Sequence, residues 1–476
     1  MATPRTIFLV SLLGGTNWIP SWHRTATSRV PSRNKLGLHY LHSTLEARGY
    51  RCRIFDQSIY SFNLSSLVSL CRRAEPLAVG FYTEFSNRDE VGRALEALRE
   101  QCPNLFLICG GPGYFEDEFY LARGCHAMVV GEGEETLPEL LDALERGRQL
   151  AEIQGVVYLD QAGEVVRTPP RPQIADLDSL PFPYLTPELT MVEANQSLIG
   201  YGRQMEVMTS RGCPFRCSYC ATPRIWGRTV RQRSVNNVMA EIDQAVARCG
   251  VEFVRFIDDV FAWDADWLDE FVEAMARRPA LRFRCILHPL SFRKDPERDI
   301  RRLAEVGLVS FFVGLQTLEP SARKLLRRSA VEAEAVIPLL AAARRHGVTT
   351  EIQYILALPG DTVETYERIL EYSVRARPNM IGAGPLLVLP GAELASRPAS
   401  ELHCSLDERE IERAARRMLT RFNRHPRVLA DNLRLLLGRA SRISWGAALR
   451  RLAAWFSVNS ALPRYPADES DYCRSL

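Results

Sequence analysis

Cys213, Cys217 and Cys220 fall within one run, TSRGCPFRCSYCAT, from Thr209 to Thr222, in the spacing C-x3-C-x2-C. Thiolates this close in sequence converge on one metal centre only if the backbone between them wraps around it. Zinc sites normally take a fourth ligand and favour C-x2-C pairs, whereas a four-iron cluster is ordinarily held by four cysteines. Three cysteines on a loop therefore point to an iron–sulfur cluster with one iron left open to a further ligand. A zinc loop and three buried free thiols are the competing readings. Cys52, Cys71, Cys102, Cys109, Cys125, Cys249, Cys285, Cys404 and Cys473 lack ligand spacing; Cys249 and Cys285 read as small buried apolar residues.

A loop that wraps a metal needs a rigid base, and the flanking chain supplies one. Strands are expected at Glu206–Thr209, Phe253–Asp258, Phe283–Leu287, Val309–Gly314, Thr350–Leu356 and Met380–Leu387, each followed by helix or loop. Six such units predict a partial parallel (β/α)6 barrel, whose catalytic groups belong on loops at the carboxyl ends of the strands. The cysteine loop follows the first of them. Upstream, strands at Thr6–Leu12, Arg51–Asp56, Leu77–Phe81, Leu105–Cys109 and Ala127–Val130 alternate with helical patterns at 36–48, 64–73, 89–101 and 134–145. That alternation predicts a doubly wound, Rossmann-like parallel sheet. Two turns follow its strands, Gly110-Gly111-Pro112-Gly113 and Gly131-Glu132-Gly133-Glu134, and they serve either ligand approach or simple chain reversal. Prolines 169, 170, 172, 181, 183 and 187 then break the periodicity. The α/β chain thus divides into 1–160, a connector over 161–200, a barrel over 201–398 and a helical region over 399–476.

The cysteine run, with Tyr219 before its last cysteine, resembles the radical S-adenosylmethionine (SAM) enzymes, and three later stretches match the same family at the expected strands. The resemblance implies that Cys213, Cys217 and Cys220 hold a four-iron four-sulfur cluster and that SAM fills the open iron. It also implies a low-potential electron donor such as a flavodoxin or ferredoxin. FIDDVF carries Asp258 and Asp259, where the family places an acidic group near the SAM ammonium, though a helix cap would use the same residues. VGLQTLEP puts Gln316 where the family commonly has glutamate; glutamine keeps a ribose contact and removes an acid–base role. YILALPGDT marks Leu358, Pro359 and Gly360 beside the adenine. The turn at Pro390-Gly391 supports the fold more than the chemistry.

Residues 5–150 resemble the cobalamin-binding domain that precedes the radical SAM domain in one large subfamily. The resemblance rests on Leu36-Gly37, on Gly110-Gly111-Pro112 and on Gly131-Glu132-Gly133-Glu134, which it implies as cobalamin contacts. The D-x-H-x-x-G signature is absent, and His23, His39, His42 and His126 stand outside any such pattern. Either cobalamin binds without a protein histidine, or the domain has lost the cofactor. The amino-terminal cysteines also lack the cluster motif of methylthiotransferases.

With 46% hydrophobic and 25% charged residues and a net charge of +3, the chain reads as globular, and charge alone implies no nucleic-acid partner. No apolar run reaches membrane-span length, and twelve cysteines in a long chain without a signal peptide suggest a reducing cytoplasm. The amphipathic stretch Ser444–Phe456 serves as a lid, a recognition surface, a membrane-facing helix or a helix packed on the barrel. The resemblance implies a cobalamin-dependent C-methyltransferase, in which a deoxyadenosyl radical removes hydrogen from an unactivated carbon of a small-molecule or peptide substrate. Radical oxidation, cyclisation or ring contraction without methyl transfer is the second expectation, and a non-catalytic iron–sulfur sensor the third.

Overall fold

Short apolar runs between amphipathic helices build two seven-stranded sheets, seen in a computed structural model that describes residues 5–14, 35–60, 62–187, 189–192, 202–292, 294–328 and 332–440. The first sheet contains β1 (Thr6–Ser11), β2 (Arg51–Asp56), β3 (Ala78–Tyr82), β4 (Phe106–Gly110), β5 (Ala127–Val129), β6 (Val156–Leu159) and β7 (Val165–Arg167). Its order is β2-β1-β3-β4-β5-β6-β7, parallel through β5. In β1, TIFLVS, five of six residues are buried, because helices cover both faces of such a sheet and leave no polar alternation. The chain winds outward from β1 in both directions, the doubly wound plan the alternation predicted.

The β6–β7 hairpin is antiparallel and was not expected. β7 lies inside the stretch read as connector. Three residues on a sheet edge, followed closely by prolines, carry no periodic signal.

The second sheet contains β8 (Met191–Val192), β9 (Arg203–Val207), β12 (Phe253–Phe256), β13 (Arg282–Leu287), β14 (Leu308–Gln316), β15 (Thr349–Leu356) and β16 (Met380–Pro385). β9 and β12 to β16 run parallel in chain order, with β8 antiparallel beside β9. Local chemistry sets the intervening helices. Ser234 accepts from Asn237 N to start the helix Val235–Cys249, and Gly250 ends it at φ 66; Asp264 caps Ala265–Ala276 in the same way. Phe256, Phe261, Trp267, Phe271 and Phe283 pack edge-to-face and stacked in the barrel core. Truncating one such ring costs about 3–5 kcal/mol. A separate hairpin pairs β10 (Ser210–Arg211) with β11 (Arg231–Gln232) and brackets the cysteine run.

Beyond the barrel, the helices Glu408–Asn423 and Pro426–Ala440 pack along its flank. Arg417 and Arg421 pair with Glu367, and Arg377 pairs with Asp431. This part of the carboxyl-terminal region is a packed layer with arginines at the surface; Ser444–Phe456 lies outside the described residues. Among the described residues no helix is long and apolar enough to cross a membrane.

Candidate cofactor site at the domain interface

Strand β9 ends at Val207 and the chain turns through Thr209 and Ser210 into the cysteine run. Asp258, just past β12, fixes that turn. Its Oδ1 accepts from Thr209 N at 2.9 Å, Thr209 Oγ1 at 2.8 Å and Ser210 Oγ at 2.7 Å. Asp258 is 1% exposed, its Oδ2 has no hydrogen-bond partner, and burial pushes its pKa up to about 6. Its carboxyl is thus committed to holding the entry of the loop. Asp259 remains open toward a ligand: it accepts from Thr222 Oγ1 at 3.1 Å, and crowding by surrounding protein also raises it to about 6.

The loop is knotted to distant parts of the barrel through Ser218. Ser218 N donates to Leu326 O at 3.2 Å, its Oγ donates to Leu325 O at 2.6 Å, and its carbonyl accepts from Leu394 N at 2.9 Å. Gly212 enters the loop at φ 106, where a Cβ would stand 2.1 Å from Thr229 O, so only glycine fits. Cys213, Cys217 and Cys220 all keep partial solvent access, and burial pushes the Cys213 thiol up to about 12 and raises Cys220. Among the described residues no group of three His, Cys, Asp or Glu side chains is arranged to hold a single metal ion. The cysteines of an iron–sulfur cluster each bind a different iron, so a cluster does not require them to meet at one ion.

The remaining barrel positions gather around the same mouth. Gln316 ends β14 at φ 73, an uncommon conformation for a non-glycine residue and one that clusters at functional sites. Its side chain folds over Gly314, where a Cβ would meet Gln316 Nε2 at 2.5 Å. Leu358 is fully buried in a small cluster with Ala322, Leu326 and Leu394 against which Tyr219 packs. Asp361 ties the Leu358-Pro359-Gly360 turn by accepting from Leu358 N at 2.9 Å, and Ala357 and Gly360 adopt φ 58 and 85. Leu358 and Tyr219 therefore shape the floor of the site from its apolar side, while Gly360 keeps open space around it.

Two residues absent from the sequence expectations stand beside the cysteines. His288, just past β13, stacks on Phe215 of the loop with ring centroids 3.7 Å apart. Arg328 reaches both His288 and Cys217. Neither lies in a recognisable motif, and only the fold brings them to the loop.

The first domain presents its Gly110–Gly113 turn directly to this loop. Gly111, at φ 102, lies where a Cβ would be 2.8 Å from Thr83 O, and at Gly113 it would be 2.6 Å from Thr83 Oγ1, so this close packing of β3 and β4 ends requires glycine. A cavity of about 260 Å3 lies between the domains, lined by Pro112, Gly113, Tyr219, Cys220, Ile225 and Pro390 among others. Tyr114 OH donates to Arg224 O at 3.0 Å, and Phe115 lies against Gly391, closing the seam.

Gly131-Glu132-Gly133-Glu134 also faces the barrel, but its carboxylates are taken. Glu132 pairs with Arg211 at 2.8 Å and Arg231 at 2.9 Å, and Glu134 with Arg211 at 2.6 Å. Glu132 also accepts from Ile174 N at 2.7 Å. Any cofactor contact at this turn is left to its backbone. Leu36 lines a second cavity of about 670 Å3 with connector residues Pro181–Pro187. His39 and His42 line that cavity too, with His39 Nδ1 2.7 Å from Tyr184 O, and His126 bonds Leu107 N and Arg99. His39 also feels the charge of Asp56, the last residue of β2; His23 lies outside the described residues.

The chain thus joins a doubly wound domain to a partial barrel of six parallel strands edged by antiparallel β8, with a three-cysteine loop at their interface. Residues 207–373 match the Radical SAM superfamily and residues 28–141 the B12 binding domain, so the chain carries a radical SAM domain preceded by a B12-binding domain. An uncharacterized methyltransferase of Pyrococcus horikoshii is 26% identical over 343 residues, covering 71% of this chain and 72% of its own length. The anaerobic magnesium-protoporphyrin IX monomethyl ester cyclase of Rubrivivax gelatinosus is 27% identical over 379 residues, 76% of this chain and 63% of its own. The fold matches the radical SAM methyltransferase TsrM from Kitasatospora setae, solved with cobalamin and a [4Fe-4S] cluster, with TM-score 0.65 at 20% identity over 82% of this chain and 74% of that one.

Proposed function

We propose that the chain is a cobalamin-dependent radical SAM enzyme that methylates an unactivated carbon of a small-molecule or peptide substrate. The observation that carries this reading is the interdomain cavity, which has Cys220 on one wall and the Pro112-Gly113 turn of the B12-binding domain on the other. The Pyrococcus relative and TsrM, both named methyltransferases, support the reaction class.

Cys213, Cys217 and Cys220 would hold the cluster, Asp259 and the backbone at 357–360 would hold SAM, and the 110–113 and 131–133 turns would hold cobalamin. Bound there, these groups supply radical formation and a transferable methyl group. The chain's own part is positional. Asp258 and Ser218 fix the loop so that its thiols stay in one geometry. Asp259 offers a carboxylate to the ammonium and sulfonium of SAM, an attraction strengthened inside a partly closed mouth. Pro112, Tyr219, Ile225 and Pro390 keep the space between the domains apolar, and excluding water there limits side reactions of a reactive radical.

The Rubrivivax relative, named a cyclase, favours a second reading in which the radical ends in oxidation or ring closure. Turnover with methyl-labelled SAM separates the two. Label in the product supports methylation; 5'-deoxyadenosine without transferred label supports the second. Absence of any deoxyadenosine from protein with a verified cluster would leave a sensor.

A further inference from the structure

Arg328 is 6% exposed and lies behind the cysteine loop. Its NH1 is 3.7 Å from Cys217 Sγ and 3.0 Å from His288 Nε2, its NH2 donates to Gly314 O, and its Nε has no partner. A guanidinium carries donors only and does not lose its proton in proteins, so His288 Nε2 accepts from it. Burial, and then the guanidinium itself, push the His288 pKa down to about 3, so the imidazole is neutral. Phe215 stacks on that ring and holds it in place. The partners of Arg328 are thus an uncharged ring, a carbonyl and a cysteine, and its positive charge is directed at one of three sulfurs.

We infer that Arg328 is a positioning residue that raises the electron affinity of a cluster bound through Cys217. This rests on the cluster assignment made above. Hydrogen bonds to the sulfurs and local net charge are among the factors that set iron–sulfur potentials, and the residues behind a metal's ligands tune it. The step concerned is the entry of one electron from a low-potential donor into the oxidised cluster. No bond forms or breaks, the donor loses one electron, and the added negative charge is stabilised by the fixed guanidinium. His288 and Gly314 hold the guanidinium in place; the Cys217 contact is where it acts.

The test uses the full chain, reconstituted anaerobically with iron and sulfide, as wild type, Arg328→Gln and Arg328→Lys. Iron and sulfide content and visible absorbance are read first, and then the midpoint potential by spin-resonance titration with dithionite. Glutamine removes the charge, so the reduced-to-oxidised ratio at a fixed potential should fall about tenfold, a negative shift of about 59 mV for one electron. Lysine keeps the charge but not the planar fork and should fall between. A fully loaded Arg328→Gln protein with unchanged potential overturns the inference. If the glutamine variant does not load, the lysine variant decides: a negative shift supports the role and no shift overturns it. Wild-type protein that takes up no cluster overturns the cluster assignment, and this inference with it.

Discussion

Arg211 and Glu132 meet at 2.8 Å across the boundary between the two domains, each side chain only 4% exposed. Arg211 stands two residues before Cys213, and Glu132 sits in the turn that follows β5. One buried ion pair therefore ties the start of the cysteine loop to a turn of the B12-binding domain. Arg231 completes it from β11, the strand that pairs with β10.

Glu132→Gln should destabilise the chain by about 3–5 kcal/mol, the cost of leaving a buried partner charge uncompensated. Burial alone would raise the Glu132 pKa, but hydrogen bonds from Arg231 and Arg211 outweigh it and hold it below the usual carboxylate range. A depressed folded pKa gives stability that is present above the unfolded value of 4.5 and lost as pH falls through the folded one. Denaturant unfolding between neutral and acid pH should show this loss in the wild type and a flatter profile in the variant. Equal stability and equal pH slopes in both would contradict it.

Asp258 predicts the opposite sign. Its folded pKa is raised to about 6 from 3.8, so its contribution is fully present below 3.8 and is lost as pH rises through 6. Asp258→Asn keeps an acceptor for Thr209 and Ser210 without a buried charge, and it should match or exceed the wild type in stability at pH 8. Asp258→Ala strands three donors and should cost about 3 kcal/mol by thermal or chemical unfolding.

Cys217→Ala should abolish both the iron–sulfur absorbance and deoxyadenosine formation, because no other cysteine has the spacing to replace it. Retention of either signal would remove Cys217 from the ligand set. Asp259→Asn should leave the absorbance intact and weaken SAM binding roughly tenfold, about 1.4 kcal/mol, readable by titration of the reconstituted protein.

Gly391→Ala places a methyl group 2.3 Å from the Phe115 ring on a backbone at φ 82. Both effects act at the seam between the domains. The variant should lose about 1–3 kcal/mol, and proteolysis should cut more readily between the two domains than in the wild type. An unchanged cleavage pattern would show that Phe115 moves aside without opening the seam.

Strands such as β1, TIFLVS, and β3, AVGFY, were legible as apolar runs, and the cysteine loop because its spacing is chemically restrictive. Asp258 and Asp259 were legible as a pair but not as separate roles. Only the fold shows that one carboxylate faces Thr209 and Ser210 while its neighbour faces Thr222. Arg328 and His288 gave no signal, since a lone arginine among many and a lone histidine become site residues only when β13 and β14 are laid side by side. The carboxylates of Glu132 and Glu134 illustrate the reverse. Their motif was visible, but the arginines that occupy them lie 77 to 99 residues away in the chain.

The knot at Ser218 has a temporal consequence. Its partners are Leu325, Leu326 and Leu394, the last lying beyond the final barrel strand. Contacts of such sequence separation form late, after the loop-closure entropy of the intervening chain has been overcome. On the ribosome, a nascent chain that has already released its three thiols still lacks the segment that shapes them. Under the cluster assignment proposed above, the cradle of Cys213, Cys217 and Cys220 is complete only after residue 394 has been made, and a chain stalled before that point would present the three thiols without it.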